Sequence, residues 1–101
     1  MLEMARYSRA PPSVTAGKGA RHNTSTCTSS ACAYLSVTLN NFPGGAHSVT
    51  CFGSYPGDEN GFGSYMHNGG SGSTSNSCYY GWPGRTAWVV VDGVRSNDVV
   101  W

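Results

Sequence analysis

Apolar and polar residues alternate strictly in the stretch that follows the second cysteine, a pattern typical of a half-buried β-strand. Within Ala33–Asn40 the odd-numbered positions are apolar, and the even-numbered positions are polar or aromatic. This pattern predicts a strand over these residues. Turn-forming residues occupy 42–45, and the next alternating stretch predicts a second strand over His47–Phe52. We therefore expect the two strands to form a hairpin.

The C-terminal quarter carries the strongest pairing signal in the chain. The apolar stretch Thr86–Val91 is followed by Asp92-Gly93 and then by Val94–Trp101. Asp-Gly is typical of a two-residue hairpin turn, so we predict two paired strands. Their aromatic residues, Trp88 and Trp101, are expected to point into the core from adjacent strands.

The remaining segments complete an all-β pattern. Gly53–Gly61 reads as a loop, Phe62–His67 as a short edge strand, and 68–73 as an exposed, flexible connection. No segment has a helical repeat. Some five to seven short strands with regular turns predict a small antiparallel β-sandwich of the immunoglobulin or fibronectin type III kind. We assign this domain to residues 27–101 and expect residues 1–26 to form a flexible arm, because Pro and Gly interrupt that polar stretch.

Four cysteines in 101 residues indicate an oxidising, extracellular location. They allow three pairings. We predict that Cys27 pairs with Cys32 around a turn of small residues, and that Cys51 pairs with Cys78 across a long intervening segment. The rival interpretation is a zinc site that combines cysteines with histidines. The close ligand spacings of structural zinc modules are absent from the sequence, so we expect no metal.

Charge and hydropathy limit the classes of partner. Four basic residues against one acidic residue give the first 21 positions a charge of +3, whereas two against four give the rest −2. The predicted domain thus offers no basic patch for nucleic acid, and no apolar run is long enough for membrane insertion. The start of the chain lacks the apolar stretch of a secretion signal. We expect the chain to be part of a larger exported protein. A non-native start of the chain, or cysteines that are reduced rather than paired, would also account for the missing apolar stretch.

Two segments carry a resemblance to known modules. The stretch YLSVTLNNFPGGAHSVTCF resembles the strand, turn and strand of immunoglobulin-like and fibronectin type III domains. The ending CYYGWPGRTAWVVVDGVRSNDVVW is similar to the C-terminal segment of small extracellular modules attached to secreted proteins and receptor kinases of soil bacteria. This resemblance implies a bacterial accessory role outside the cell, with no catalytic residues to carry over.

Groups that could perform catalysis are few and scattered. The three histidines, His22, His47 and His67, lie in different predicted loops or strand edges. The adjacent acids Asp58 and Glu59 point apart on an extended chain, which makes them poor partners for general acid and base chemistry. We therefore expect neither an enzyme nor a cofactor.

Aromatic residues beside Gly, Ser and Asn supply the remaining functional signal. Such rings give large contact areas at low entropic cost, and they stack on sugar faces or peptide backbones. At least half of them must fill the core, and of the adjacent pair Tyr79 and Tyr80 one should face inward. The candidate contact residues are Tyr55, Tyr65, Tyr80, Trp82 and Arg85.

The function that we predict is a non-catalytic binding module at the cell surface. Its ligand would be a cell-wall glycan, an extracellular polysaccharide or a protein partner. A structural spacer without a ligand is the main alternative, because a disulfide-crosslinked sandwich on a flexible arm suffices for that role. A secreted protease inhibitor is a weaker one.

Overall fold

The computed structural model describes residues 11–101, which form two antiparallel sheets facing each other. The strands are β1 (Ser13–Arg21), β2 (Ala33–Asn40), β3 (Ala46–Gly53), β4 (Gly63–Asn68), β5 (Thr74–Tyr80), β6 (Thr86–Val91), β7 (Val94–Arg95) and β8 (Val99–Val100). One sheet has the order β1-β2-β5, and the other has the order β4-β3-β6 with β7 and β8 both paired to β6. The predicted all-β sandwich with two disulfides is confirmed.

The strands predicted at residues 33–40 and 47–52 are present, but they do not form a hairpin. β2 pairs with β1 and β5, whereas β3 pairs with β4 and β6 in the opposite sheet. The residues between them therefore cross from one sheet to the other, and Phe42 turns into the core on the way. Each strand has one mostly apolar face to bury, which two facing sheets achieve and a lone hairpin does not.

A strand lies where the sequence predicted a flexible arm. Ser13–Arg21 forms β1, whose Val14 and Ala16 are buried against the core. Both backbone groups of Ala16 also bond to the Asn97 side chain: the Ala16 N–H donates to Asn97 Oδ1 at 2.7 Å, and Asn97 Nδ2 donates to the Ala16 carbonyl at 2.9 Å. The side-chain amide thus substitutes for a neighbouring strand. The arm assignment is corrected for this segment, and residues 1–10 lie outside the described part.

The C-terminal hairpin is confirmed, with an interruption in its second strand. Asp92 and Gly93 both have positive φ, 49° and 81°, as a tight type I′ turn requires. The second strand is divided into β7 and β8 because Asn97 leaves the ladder to reach β1.

The expected inward orientation of Trp88 is wrong. Ala87, Val89 and Val91 are the buried residues of β6, so Trp88 lies on the outer face of its sheet. There its ring is nearly parallel to that of Phe52 at 6.0 Å, and the Arg95 guanidinium lies 4.4 Å from its centroid. Both faces of this strand are apolar in the sequence, and the smaller residues suit the space between the sheets. Trp101 is half-buried and packs against the core as expected.

Both predicted disulfides are present, and they have different roles in the fold. Cys51 on β3 pairs with Cys78 on β5, so this bond joins the two sheets through the core. Cys27 pairs with Cys32 and closes a short loop between β1 and β2. No cysteine of the described chain, which includes all four, is free. The zinc interpretation is therefore wrong, because none of the four can supply a thiolate ligand.

Two histidines are paired across β3 and β4, at the end of the sandwich that holds the turn after β6. His47 Nδ1 lies 2.7 Å from Asp92 Oδ2, and His47 Nε2 lies 2.8 Å from the Pro43 carbonyl oxygen. Hydrogen bonds to Pro43 and then to Asp92 raise the pKa of His47 above 6.5. Burial of His67 lowers its pKa, and the charge of His47 lowers it further. The pKa values of the two paired histidines are thus shifted in opposite directions, toward the charged form for His47 and toward the neutral form for His67.

We expect the His47→Asn variant to lose more stability at about pH 6 than at about pH 9. With a raised pKa, His47 stabilises the folded chain fully below its unfolded pKa of 6.5, and this contribution is lost as the pH rises through the folded-state pKa. Urea unfolding of parent and variant at both pH values measures the difference. Asp92→Asn should show a weaker form of the same trend. An equal loss at both pH values would contradict the assignment of a raised pKa.

Candidate functional site

Three adjoining hollows lie at the other end of the sandwich. The largest, which we call the edge cleft, runs beside the edges of β4 and β5 and has a volume of about 570 Å³. The Trp82 hollow, of about 280 Å³, lies between the Cys27–Cys32 loop and the segment after β5. The bridging hollow, of about 150 Å³, lies between these two. Thr26 lines all three.

A tight turn presents Trp82 directly after β5. The Arg85 N–H donates to the Trp82 carbonyl at 3.0 Å, and Gly84 has a φ of 80°. Pro83 in the second position and a glycine of positive φ in the third are typical of a type II turn. Pro83 and Gly84 are thus the two central residues of this turn.

The neighbouring Gly81 lies flat against the short disulfide. A Cβ atom at Gly81 would come within 2.6 Å of Cys27 Sγ and 2.8 Å of Cys32 Sγ. No other residue type allows this approach, because real Cβ contacts are longer. The disulfide loop thereby becomes one side of the Trp82 hollow, and Ser29 Oγ reaches the Gly81 carbonyl at 3.5 Å.

Three of the predicted contact residues form one cluster. The rings of Tyr55 and Trp82 are stacked, with centroids 3.8 Å apart and planes 6° from parallel. Arg85 Cζ lies 5.6 Å from the Tyr55 centroid, and Arg85 Nη1 donates to the Ser54 carbonyl at 3.3 Å. Trp82 nevertheless remains 45% exposed. Tyr55 therefore supports the indole from the core side, and Trp82 is available for contact.

The edge cleft has aromatic residues from both sheets. Tyr34 of β2 and Tyr79 of β5 are neighbours in register, and His22 stacks on Tyr34 with centroids 4.3 Å apart. Tyr65 of β4 and the preceding Phe62 line the cleft from the opposite sheet. The cleft is accordingly a space between aromatic side chains, rather than a gap in the core.

Polar groups lie between the rings. Thr26 Oγ1 is 3.2 Å from the Tyr79 hydroxyl, and hydrogen bonds from Thr24 and Thr26 lower the pKa of Tyr79. In the bridging hollow, burial raises the pKa of Asp58, and the neighbouring charge of Glu59 raises it further. Hydroxyl, amide and carboxyl groups are thus available beside aromatic surface, which is the combination that fixes the orientation of a bound molecule.

The two remaining predicted residues lie outside the stack of Tyr55, Trp82 and Arg85, although Tyr80 lines the bridging hollow with Trp82. Tyr65 lines the edge cleft, and its hydroxyl is 3.1 Å from Ser75 Oγ. Tyr80 is only 3% exposed and belongs to the core, where its hydroxyl accepts the Tyr55 N–H at 3.2 Å. This corrects the assignment of Tyr80 as a contact residue. The expectation that one of Tyr79 and Tyr80 faces inward is confirmed.

Sequence reasoning missed several residues of the site. His22 and Thr26 fall in the stretch interpreted as an arm, and Tyr34 sits on the outer face of a predicted strand. The pairing of Tyr34 with Tyr79 depends on β2 and β5 being neighbours, which no local pattern reveals. The run of hydroxyl residues before Cys27 was the available signal that this loop contributes polar groups.

A serine–histidine contact lies behind Tyr65, next to the edge cleft but not in its lining. Ser75 Oγ lies 2.8 Å from His67 Nδ1, and Ser73 Oγ lies 2.7 Å from His67 Nε2. His67 is 1% exposed. Neither Ser75 nor His67 lines any of the three hollows. These hydrogen bonds satisfy a buried imidazole between the two sheets.

Comparison with known proteins identifies no relative of this chain, so the site is interpreted from its own residues. No protein-family model, curated protein or solved structure matches the chain. Within residues 11–101, no helix is long and apolar enough to cross a membrane. In the same residues, no group of three or more His, Cys, Asp or Glu side chains is arranged to hold a metal ion.

Proposed function

We propose that this chain is a non-catalytic extracellular module that binds a glycan through Trp82. The observation that carries the proposal is the half-exposed indole, stacked on Tyr55 and bordered by a hollow with hydroxyl side chains. An aromatic ring held in this way loses little conformational entropy on binding, because its orientation is already set. Sugars present an apolar face of C–H groups together with hydroxyls, and the surroundings of Trp82 match both.

The hydroxyl groups around Trp82 favour a sugar over an apolar ligand. Thr26, Thr28 and Ser29 line the same hollow as the indole. Each can donate and accept hydrogen bonds, and a sugar hydroxyl requires both. Thr26 and Ser29 already bond to the Tyr79 hydroxyl and the Gly81 carbonyl, and each hydroxyl group keeps capacity for a further hydrogen bond that an apolar ligand could not make.

The extracellular location in the proposal is supported by the two disulfides. Structural disulfides are typical of oxidising compartments, and a small domain outside the cell gains from such crosslinks. A bacterial cell-surface setting, within a larger exported protein, follows from the resemblance of the C-terminal segment. In that setting, cell-wall glycans and extracellular polysaccharides are the available ligands.

We expect the Trp82→Ala variant to lose at least tenfold in affinity for insoluble glycan, equivalent to about 1.4 kcal/mol. The measurement is retention of purified protein on peptidoglycan, chitin and cellulose, after near-ultraviolet circular dichroism shows that parent and variant are folded. Trp82→Phe should retain part of the binding because it preserves a ring on Tyr55.

Met66→Ala is the control for loss of exposed apolar surface. Met66 is 55% exposed on β4 and lines none of the three hollows, so its removal should leave retention unchanged. Absence of retention for the parent on all three polymers would overturn the glycan proposal and favour a spacer or a protein-binding module. Equal loss in Met66→Ala and Trp82→Ala would show that retention is non-specific.

A further inference from the structure

We propose that the ligand is a neutral linear glycan, bound over several sugar units from the Trp82 hollow through the bridging hollow into the edge cleft. This inference rests on the proposed function and adds the length and the charge of the ligand. Four properties of the described surface carry it: the continuity of the hollows, the sequence of groups along them, their volume, and the signs of the charges that line them.

Continuity follows from the residues that the hollows share. Trp82 and Gly81 line both the Trp82 hollow and the bridging hollow. Phe62 and Tyr79 line both the bridging hollow and the edge cleft. Each boundary is thus formed by side chains that face both spaces, and a chain-like molecule can pass from one to the next. A single sugar would leave most of this surface empty.

The groups along the path repeat in kind. Trp82 is followed by Tyr79 and Phe62, and then by Tyr65 and the His22–Tyr34 stack. Hydroxyl or amide side chains accompany the rings at each stage; they are Ser29, Thr26, Ser64 and Asn76. A polymer of sugars presents the same repetition of apolar faces and hydroxyls. An extended peptide would instead require apolar pockets for alternate side chains.

Volume places the edge cleft among complete binding sites. At about 570 Å³ it falls within the roughly 300–1,000 Å³ of typical small-molecule sites. The Trp82 hollow and the bridging hollow extend this space on one side. A ligand that engages Trp82 and fills the cleft therefore spans all three hollows.

The charges that line the hollows disfavour an anionic polymer. Among the described residues that line the three hollows, none is Lys or Arg, and Asp58 is the single carboxylate. Recognition of uronic acids or phosphate-containing polymers relies on charge-assisted hydrogen bonds from basic side chains. Arg85 lies beside the Tyr55–Trp82 stack but lines none of the three hollows, and one of its N–H groups donates to the Ser54 carbonyl. A neutral glycan fits this surface, and an anionic one would meet Asp58 without compensation.

The test is titration calorimetry with β-1,4-linked glucose and N-acetylglucosamine oligomers, from the monomer to the hexamer. In at least one series we expect affinity to rise at least tenfold between the dimer and the pentamer and then to level off. Polygalacturonate oligomers of equal length should bind at least tenfold more weakly than the neutral series. Equal affinity for dimer and hexamer would overturn the extended site, and tighter binding of the anionic oligomers would overturn the charge assignment.

A matched pair of variants locates the length dependence. Ser64→Leu places a bulky side chain at the edge cleft and should remove the gain for longer oligomers, while dimer affinity at Trp82 stays unchanged. Ser48→Leu is the control, since Ser48 is also exposed and lies on the adjacent strand β3 outside the hollows. Tyr34→Ala is a second cleft variant with the same expected result. An unaltered length dependence in both cleft variants would overturn the inference.

The two proposals fail in different ways. If oligomers bind and Trp82→Ala abolishes binding at every length, but length has no effect, the proposed function stands and the extended site is wrong. If no oligomer binds and the polymers do not retain the parent, the proposed function itself is wrong.

Discussion

Replacing Cys51 and Cys78 together by alanine is expected to lower the free energy of unfolding by about 3.5 kcal/mol, which is the chain-entropy value for closing a loop of this length. The bond spans a sequence separation of 27 residues and joins β3 to β5 across the core. Because small domains are stable by only about 5–15 kcal/mol, this double substitution should remove a large share of the stability. Urea unfolding at constant pH measures the difference.

The matched control is the Cys27→Ala and Cys32→Ala pair. Its loop spans a separation of only five residues, so the same relation gives about 2 kcal/mol. This short disulfide also supports Gly81 and one side of the Trp82 hollow. We therefore expect its removal to lower glycan retention markedly, while the domain remains folded. A larger loss of stability from the short bond than from the long one would contradict the inter-sheet role of Cys51–Cys78.

The Gly53→Ala variant is expected to lose about 3 kcal/mol of stability, at the upper end of the usual cost of overpacking. A Cβ atom at Gly53 would lie 2.6 Å from the Tyr80 hydroxyl oxygen and 2.7 Å from Tyr80 Cε1. Tyr80 cannot move freely, because its ring packs edge-on against Trp101 at 5.4 Å and lies 5.2 Å from Phe62. The strain therefore spreads through the aromatic part of the core.

Gly17→Ala provides the control for replacing a glycine within a strand. No atom lies within 4 Å of a Cβ at Gly17 in β1, so the added methyl group has space. Its effect should stay within about 0.5 kcal/mol. The denaturation midpoint of Gly53→Ala should fall without a change in slope, as for a loss of native-state stability. A midpoint equal to that of the parent would show that Tyr80 does not pack on Gly53 as described.

The candidate site was only partly predictable from the sequence. Aromatic residues among Gly, Ser and Asn pointed to the Trp82 segment, and the cluster of Tyr55, Trp82 and Arg85 does assemble. Tyr80 was misplaced because two adjacent tyrosines on a strand occupy opposite faces, and the sequence does not identify the inner one. Thr26 and Tyr34 were missed because they reach the site through loop closure and strand pairing over long separations.

The sequence by itself determined what depends on neighbouring residues. Period-two alternation placed β2 and β3 nearly to the residue, and the apolar stretch before Asp92-Gly93 placed β6. Asp92-Gly93 and Pro83-Gly84 form turns because backbone preferences act locally. Cysteine spacing likewise favoured the pairing that is observed. Only the tertiary structure decided that β2 and β3 belong to opposite sheets and that Trp88 faces outward. The tertiary structure also decided that β1 forms a strand, whose Ala16 backbone bonds to the Asn97 amide. These outcomes depend on which surfaces of distant segments pack against each other. Packing across the whole domain decides this, and local sequence preferences do not.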